Sequence, residues 1–434
     1  MADDGGLRTP SVLRGRREAP ATRYSDEALP HDSTRATATT AGELVRLFLR
    51  LGCTAFGGPA AHIAILKDEV VRRRHWMSEA EFLDLLGATN LIPGPNSTEM
   101  AIHIGYRRYG WRGLLIGGVC FILPAALIVC AFAWAYTQFG TLPAAAGLLY
   151  GVKPVIIAII AQAIWGLVKP AVRSPFLGVL GCAALVLALL HTDTLAVLFG
   201  AGALAACAHW AAPPADRGRI PVSSLLPVLL ITGTIIALPI AMGHLPNGGA
   251  VQVRGQGTPF SMSRLFLFFL KVGAVLYGGG YVLLAFLRDG LVGQWHWLTG
   301  AQLLDATAVG QFTPGPLFTT ATFIGYLLGG PAGAVVATVG IFLPSFVFVA
   351  LSGPLLPRLR RSPLTGAFLD GVNVAALALM AAVTWELGRA AVVDKTTTAL
   401  AFISAVLLVR YRVNSVWLIL GAAAFGVART LLRG

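Results

Sequence analysis

The stretch LIPGPNSTEMAIHIGY, Leu91 to Tyr106, decides how this chain folds. A helix cannot run through its Pro93-Gly94-Pro95 core. Pro93 lacks a backbone donor, Gly94 permits a turn that other residues resist, and Pro95 suits the first position of a new helix, where its missing N–H is not needed. A helix that begins inside an apolar stretch leaves the N–H groups of Asn96, Ser97 and Thr98 turned into the break. The positive end of the helix dipole and the side-chain hydroxyls back them. An oxyanion fits such an end.

The same turn recurs downstream as Pro314-Gly315-Pro316, followed by Leu317, Phe318, Thr319 and Thr320, which keeps two hydroxyls and loses Asn96 and Ser97. The surroundings repeat with it. Phe56-Gly57-Gly58 aligns with Tyr277-Gly278-Gly279, His75-Trp76 with His296-Trp297 and Asp84 with Asp305, all at the offset of 221 residues that relates the two turns. After the loss of one residue, Gly105-Tyr106 aligns with Gly325-Tyr326, Leu123-Pro124 with Leu343-Pro344 and Gly151-Val152 with Gly371-Val372, at an offset of 220. A duplication of this length dictates a two-part architecture. If the parts are inverted, the two helix starts face one another across a pseudo-two-fold axis and flank one dianion.

Apolar stretches fall near 43–66, 79–106, 113–137, 144–168, 175–191 and 194–211; a lone one at 222–242 follows a polar linker, and residues 264–432 repeat the first set. A spanning helix needs about 20 apolar residues, so several of these cross a bilayer and the shorter ones are marginal. Lys67, Arg72, Arg73 and Arg74 precede the first turn and Arg107, Arg108 and Arg112 follow it, whereas Gln138 to Leu142 has no basic residue. In the second half Arg288 stands nearly alone before the turn, and Arg358, Arg360 and Arg361 occupy the place of the neutral stretch. By the positive-inside rule equivalent loops then lie on opposite sides of the membrane. Basic residues on both flanks of 79–106 favour a segment that enters and leaves on one face, and 43–66 is ambiguous in the same way.

The expectation is an all-α polytopic membrane protein with two inverted-topology repeats, built of broken or re-entrant helices and joined by a linker helix, about 13 apolar segments in all. Residues 1–40 form a disordered cytoplasmic tail, 41–211 the first repeat, 212–263 the linker with one transmembrane helix, and 264–434 the second, inverted repeat.

Composition sets the same frame. Of 434 residues, 56% are hydrophobic and only 12% charged, with mean hydropathy +0.72. That is about half the charged share of a soluble domain, too little to coat a globule in water. The net charge of +13 sits at the ends of apolar runs, which reads as topology and lipid headgroup contact; no nucleic acid is expected. Cys53, Cys120, Cys130, Cys182 and Cys207 lie in apolar stretches without a CxxC pair, so neither a disulfide framework nor a zinc site is indicated. The chain lacks a GxxxxGK[ST] phosphate loop, an HExxH pair and a GxSxG elbow, so ATP-driven transport and hydrolytic chemistry lack their residues. No cofactor or metal is expected, and the chain reads as not an enzyme.

Ionisable residues at membrane depth are costly and default to function. Glu99, one turn past Pro95, either carries a proton or caps its helix. Lys153 is the buried cation best placed to draw in an anion, unless it snorkels to an interface, and Asn373 replaces it in the second half. His62 and His103 either titrate or serve as hydrogen-bonded packing. Asp84 and Asp305 read as caps, and Arg46 and Arg50 as headgroup anchors. Gly57-Gly58 and Gly278-Gly279 mark either close helix contact or a second break.

These paired motifs, FGGP at Phe56 to Pro59 with its echo YGGG at Tyr277 to Gly280 and the two proline turns, resemble the chromate ion transporter family in its long, two-domain form, over residues 43–430. The resemblance implies a secondary transporter that exports chromate from the cytoplasm across the bacterial inner (plasma) membrane, coupled to the proton gradient, giving chromate resistance. Its partners would be chromate or a related oxyanion, protons and membrane lipid, with a homodimer left open. The family's motifs fall on Phe56, Gly57, Gly58 and Pro59 and on Pro93, Gly94, Pro95 and Asn96, with Gly278, Gly279, Pro314, Gly315 and Pro316 as counterparts. Sulfate or another tetrahedral oxyanion stays open as the cargo, and a non-transporting membrane enzyme or sensor is the reading from another class.

Overall fold

The structure, a computed structural model, describes residues 40–56, 58–140, 142–211, 259–277, 280–360 and 362–433. The expected tail, the expected linker helix at 222–242, and Gly57, Gly278 and Gly279 lie outside the described residues. Among the described residues the chain is helical and has no strand.

The first half runs α1 (Ala41–Thr54), α2 (Gly58–Lys67) extended by a π turn (Asp68–Arg73), α3 (Glu79–Thr89), α4 (Asn96–Phe139), α5 (Pro143–Ala171), α6 (Pro175–Leu189) and α7 (Thr194–Ala211). The second half follows the same order. It runs α8 (Met262–Val275), a 3₁₀ turn (Gly280–Val282) into α9 (Leu283–Leu287) and a π turn (Arg288–Gln294), α10 (Gly300–Phe312), a 3₁₀ turn (Leu317–Thr319) into α11 (Thr320–Arg360), then α12 (Pro363–Ala391), α13 (Lys395–Tyr411) and α14 (Ser415–Arg433). Six segments among the described residues are long and apolar enough to cross a bilayer: Asn96–Phe139, Ala145–Ala171, Thr194–Ala211, Leu317–Ser352, Pro363–Ala391 and Ser415–Leu432. Trp165, Trp210, Trp417 and Phe402 stand exposed on these helices and on α13, as lipid-facing side chains do. The chain is a multi-pass membrane protein.

Local chemistry repeats between the halves. Ser78 with Glu81 and Thr299 with Gln302 form capping boxes at the starts of α3 and α10. His75 and His296, just before them, are both left-handed, at φ 51° and 54°. Tyr109 and Gly110 interrupt α4 with φ of −144° and 59°, and Gly329 and Gly330 interrupt α11 with −145° and 62°. At these turns the chain doubles back on itself. A Cβ on Gly105 would lie 2.1 Å from the Gly113 carbonyl oxygen, and one on Gly325 2.2 Å from that of Gly333. Gly105→Ala or Gly325→Ala is therefore expected to destabilise the protein by about 1–3 kcal/mol through overpacking. Thermal unfolding in detergent checks this, and an unchanged melting temperature would refute the close hairpin.

The first hairpin also closes on itself at its far end. Arg108 Nη1 donates to the Trp76 carbonyl oxygen at 3.4 Å, and the Arg108 and Arg74 guanidinium groups lie 5.5 and 5.3 Å from the Trp76 ring. The segment from α3 through the proline turn to Arg108 thus begins and ends at one place, as a re-entrant segment does. Above these hairpins the halves interlock: α5 packs against α13 and α14, α12 against α6 and α7, and α4 against α11. One apolar core runs through both halves.

Candidate oxyanion site at the paired proline turns

Helix breaks from both halves meet in the interior. The chain leaves α1 at Ala55 (φ −79°, ψ 96°) and α8 at Leu276 (φ −81°, ψ 107°). The proline turns put Gly94 at φ +136° and Gly315 at φ +92°, conformations that favour glycine. The two breaks are tied crosswise: Gly94 N–H donates to the Leu276 carbonyl and Gly315 N–H to the Ala55 carbonyl, both at 2.9 Å. Each proline turn is pinned to the first break of the other half. The interruptions fall at Ala55–Phe56 and Leu276–Tyr277, and close helix contact falls at Gly105, Gly113, Gly325 and Gly333.

Beside these bonds lies a small cavity, about 30 Å³, lined by His62, Pro95, Asn96, Ser97, Gly280, Leu317 and Phe318. That is room for one or two waters. The N–H groups of Thr98 and Glu99 both reach the Pro95 carbonyl, at 2.8 and 3.0 Å, and Thr319 N–H reaches that of Pro316 at 3.0 Å. Helix geometry leaves the first N–H groups, on Asn96 and Ser97 and on Leu317 and Phe318, without acceptors in their own helix. Two helix starts from opposite halves therefore border one space, and both bring the positive end of a dipole to it.

His62 ties the first break to the cavity. Its Nε2 lies 3.0 Å from the Ala55 carbonyl oxygen and its Nδ1 3.3 Å from Ser97 Oγ. A carbonyl only accepts, so the geometry assigns the proton of the neutral ring to Nε2, and Ser97 O–H then donates to Nδ1. Asn96 is held by its side chain, whose Nδ2 donates to Asn90 Oδ1 at 2.6 Å.

Glu99 is 0% exposed, and neither carboxylate oxygen has a hydrogen-bond partner. The capping role is not what it performs, since no side chain caps the start of α4. Thr98, also fully buried, has an unpartnered hydroxyl.

Other candidate residues lie elsewhere. Thr319 and Thr320 turn their hydroxyls back to the carbonyls of Pro316 and Leu317, each at 2.8 Å, and do not line the cavity. Phe56 is part-exposed and also outside the lining. His103 is buried with its Nε2 3.4 Å from Ser352 Oγ. Lys153 is not a free cation: its Nζ lies 2.9 Å from Asp305 Oδ1, and Tyr136 O–H donates to Asp305 Oδ2 at 2.9 Å. Asp305 is buried in mid-helix, with Thr299 as the cap, and its counterpart Asp84 is exposed on α3, capped by Ser78. Arg50 pairs with the buried Glu69 at 2.5 Å, and Arg73 joins the same carboxylate at 3.0 Å. Reasoning from sequence missed Ser345, whose buried hydroxyl faces Gly94. The available signal was its counterpart Ala125, an apolar residue at the equivalent place beside the second turn.

The chain matches the family model described as chromate transporter twice, over residues 42–207 and 263–427. It is 32% identical to a chromate transport protein of Cupriavidus metallidurans across 92% of this chain and 97% of that one. A chromate transport protein of Pseudomonas aeruginosa is 31% identical across 88% and 91%. An uncharacterized transporter of Bacillus subtilis is 31% identical over 122 residues, which cover 28% of this chain and 68% of its own. No solved structure matches.

Proposed function

This chain belongs to the chromate transporter family, and from that premise we propose that it exports chromate from the cytoplasm across the bacterial inner membrane, coupled to the proton gradient, and so confers chromate resistance. The observation that carries the reading is the pair of crossed bonds from Gly94 and Gly315, which hold two helix starts of opposite halves against one cavity. A doubly negative guest there meets two dipole ends and terminal N–H donors, and among the lining residues only His62 can titrate. If the halves are inverted, each in turn can adopt the arrangement of the other, so that the cavity opens first to one membrane face and then to the opposite one.

Of the three groups put forward as proton carriers, His62 and His103 have hydrogen-bond partners and Glu99 has none. An ionised Glu99 near the cavity repels a dianion, which links its charge state to anion binding. The test is labelled chromate uptake into everted vesicles with an imposed pH gradient, with sulfate as competitor. Uptake that collapses when the gradient is dissipated supports the reading, and a rate indifferent to the gradient removes the coupling. Sulfate that displaces chromate at equal concentration moves the assignment to tetrahedral dianions in general.

A further inference from the structure

Beside the first proline turn, buried side-chain oxygens from both halves lie without a hydrogen-bond partner. A Cβ built on Gly94 would lie 2.2 Å from Glu99 Oε1 on α4 and 2.7 Å from Ser345 Oγ on α11, so both oxygens lie against Gly94 and near one another. Neither is hydrogen-bonded, and the same holds for Glu99 Oε2 and for Thr98 Oγ1 one residue earlier. All three residues are 0% exposed. Among buried threonines, the hydroxyls of Thr307, Thr319, Thr320 and Thr384 return to a backbone carbonyl at 2.6–2.8 Å. The hydroxyls of Thr98 and Ser345 do not.

The counterpart of this cluster across the repeat is Thr319, Thr320 and Ala125, two self-satisfied threonines and an alanine. A cluster that the duplication holds in one copy only is not a by-product of the fold. Neither carboxylate oxygen of Glu99 has a hydrogen-bond partner among the described residues, and burial, with the Glu99 charge after it, pushes up the Tyr277 hydroxyl just past α8. A buried carboxylate in this state is satisfied by a proton or by a cation. Carboxylate and hydroxyl oxygens are hard ligands, and interrupted helices in transporters hold coupling ions.

We propose that ionised Glu99, with Ser345, binds one Na⁺, which competes with a proton for the same carboxylate. The proposal deepens the coupling role given to Glu99 and rests on it, but not on which anion is carried. It is tested on the purified full-length protein in detergent by thermal unfolding, in NaCl, KCl or choline chloride at equal ionic strength. At alkaline pH the melting temperature rises saturably with Na⁺ alone, and the Na⁺ midpoint moves up as pH falls, towards about tenfold per pH unit for direct competition. Ser345→Ala moves that midpoint about tenfold upward, and Glu99→Gln removes the Na⁺ response. Should Glu99→Gln fail to fold, Ser345→Ala still decides. Identical curves in the three salts, or a parental midpoint in Ser345→Ala, overturn the site and leave a proton or water as its occupant. A Na⁺ response with no chromate flux in vesicles keeps the site and removes the transport reading; flux without the response does the reverse.

Discussion

Gly94→Ala and Gly315→Ala each reduce chromate flux by about 30- to 100-fold in vesicles, with the protein still inserted. Two effects add at each position. The backbone φ of +136° or +92° is strained for any residue with a Cβ, at about 1–3 kcal/mol. The new methyl also meets an obstacle: Glu99 Oε1 at 2.2 Å for Gly94, and the Ala125 Cβ at 2.5 Å for Gly315. Relief of either effect shifts the turn and weakens the crossed bond to Leu276 or Ala55. Two to three kcal/mol lost from the transport barrier corresponds to the stated fall in rate. The two variants differ in how they can be repaired. Adding Ala125→Gly to Gly315→Ala removes the clash and leaves the φ strain, so flux recovers in part. Pro95→Ala and Pro316→Ala impair transport less, because the glycine N–H groups hold the turns and the prolines only bias the helix starts. Parental flux in both glycine variants would mean that the turns do not line the path.

The breaks were legible in the sequence because proline and glycine act locally: Pro93-Gly94-Pro95 interrupts a helix wherever it lies, and its recurrence at Pro314 marks the duplication. The basic residues noted on both flanks of 79–106 come together in the structure, Arg74 and Arg108 meeting at Trp76. What stayed hidden depends on partners distant in the chain. Nothing near Gly94 names Leu276 as its acceptor, and nothing near Lys153 names Asp305. Residue type also leaves orientation open. Thr319 and Thr320 are hydroxyl residues at a helix start, but the 3₁₀ turn there gives their O–H groups nearby carbonyls, so they face their own backbone. Asp305 looked like a cap because it follows His296-Trp297 closely, yet Thr299 takes the capping position and leaves the carboxylate a turn and a half inside the helix.

That buried carboxylate carries the second large expectation. Lys153 on α5 and Asp305 on α10 belong to opposite halves, and the pair, with Tyr136 donating to the other oxygen, is 21% and 5% exposed. Removal of one partner leaves the other charge buried and unpaired, so Lys153→Met and Asp305→Asn each destabilise the protein by about 3–5 kcal/mol, whereas a double replacement by apolar residues, Lys153→Met with Asp305→Leu, restores much of the loss. Thermal unfolding of the three variants checks this; singles as stable as the double would show that the charges are screened by water. The counterpart positions across the repeat are Asn373 and the exposed Asp84, so the clamp is not duplicated, and Asn373→Ala should change stability by less than either single. Residues Leu303 to Ala308 beside the clamp are buried, while of the matching residues on α3 only Phe82 and Leu85 are. The interface between the halves is thus tightly closed where the ion pair joins them. If the halves part here during transport, Lys153 separates from Asp305, so the double variant should keep the fold and change the rate of chromate flux in vesicles, and an unchanged rate would show that the pair stays closed.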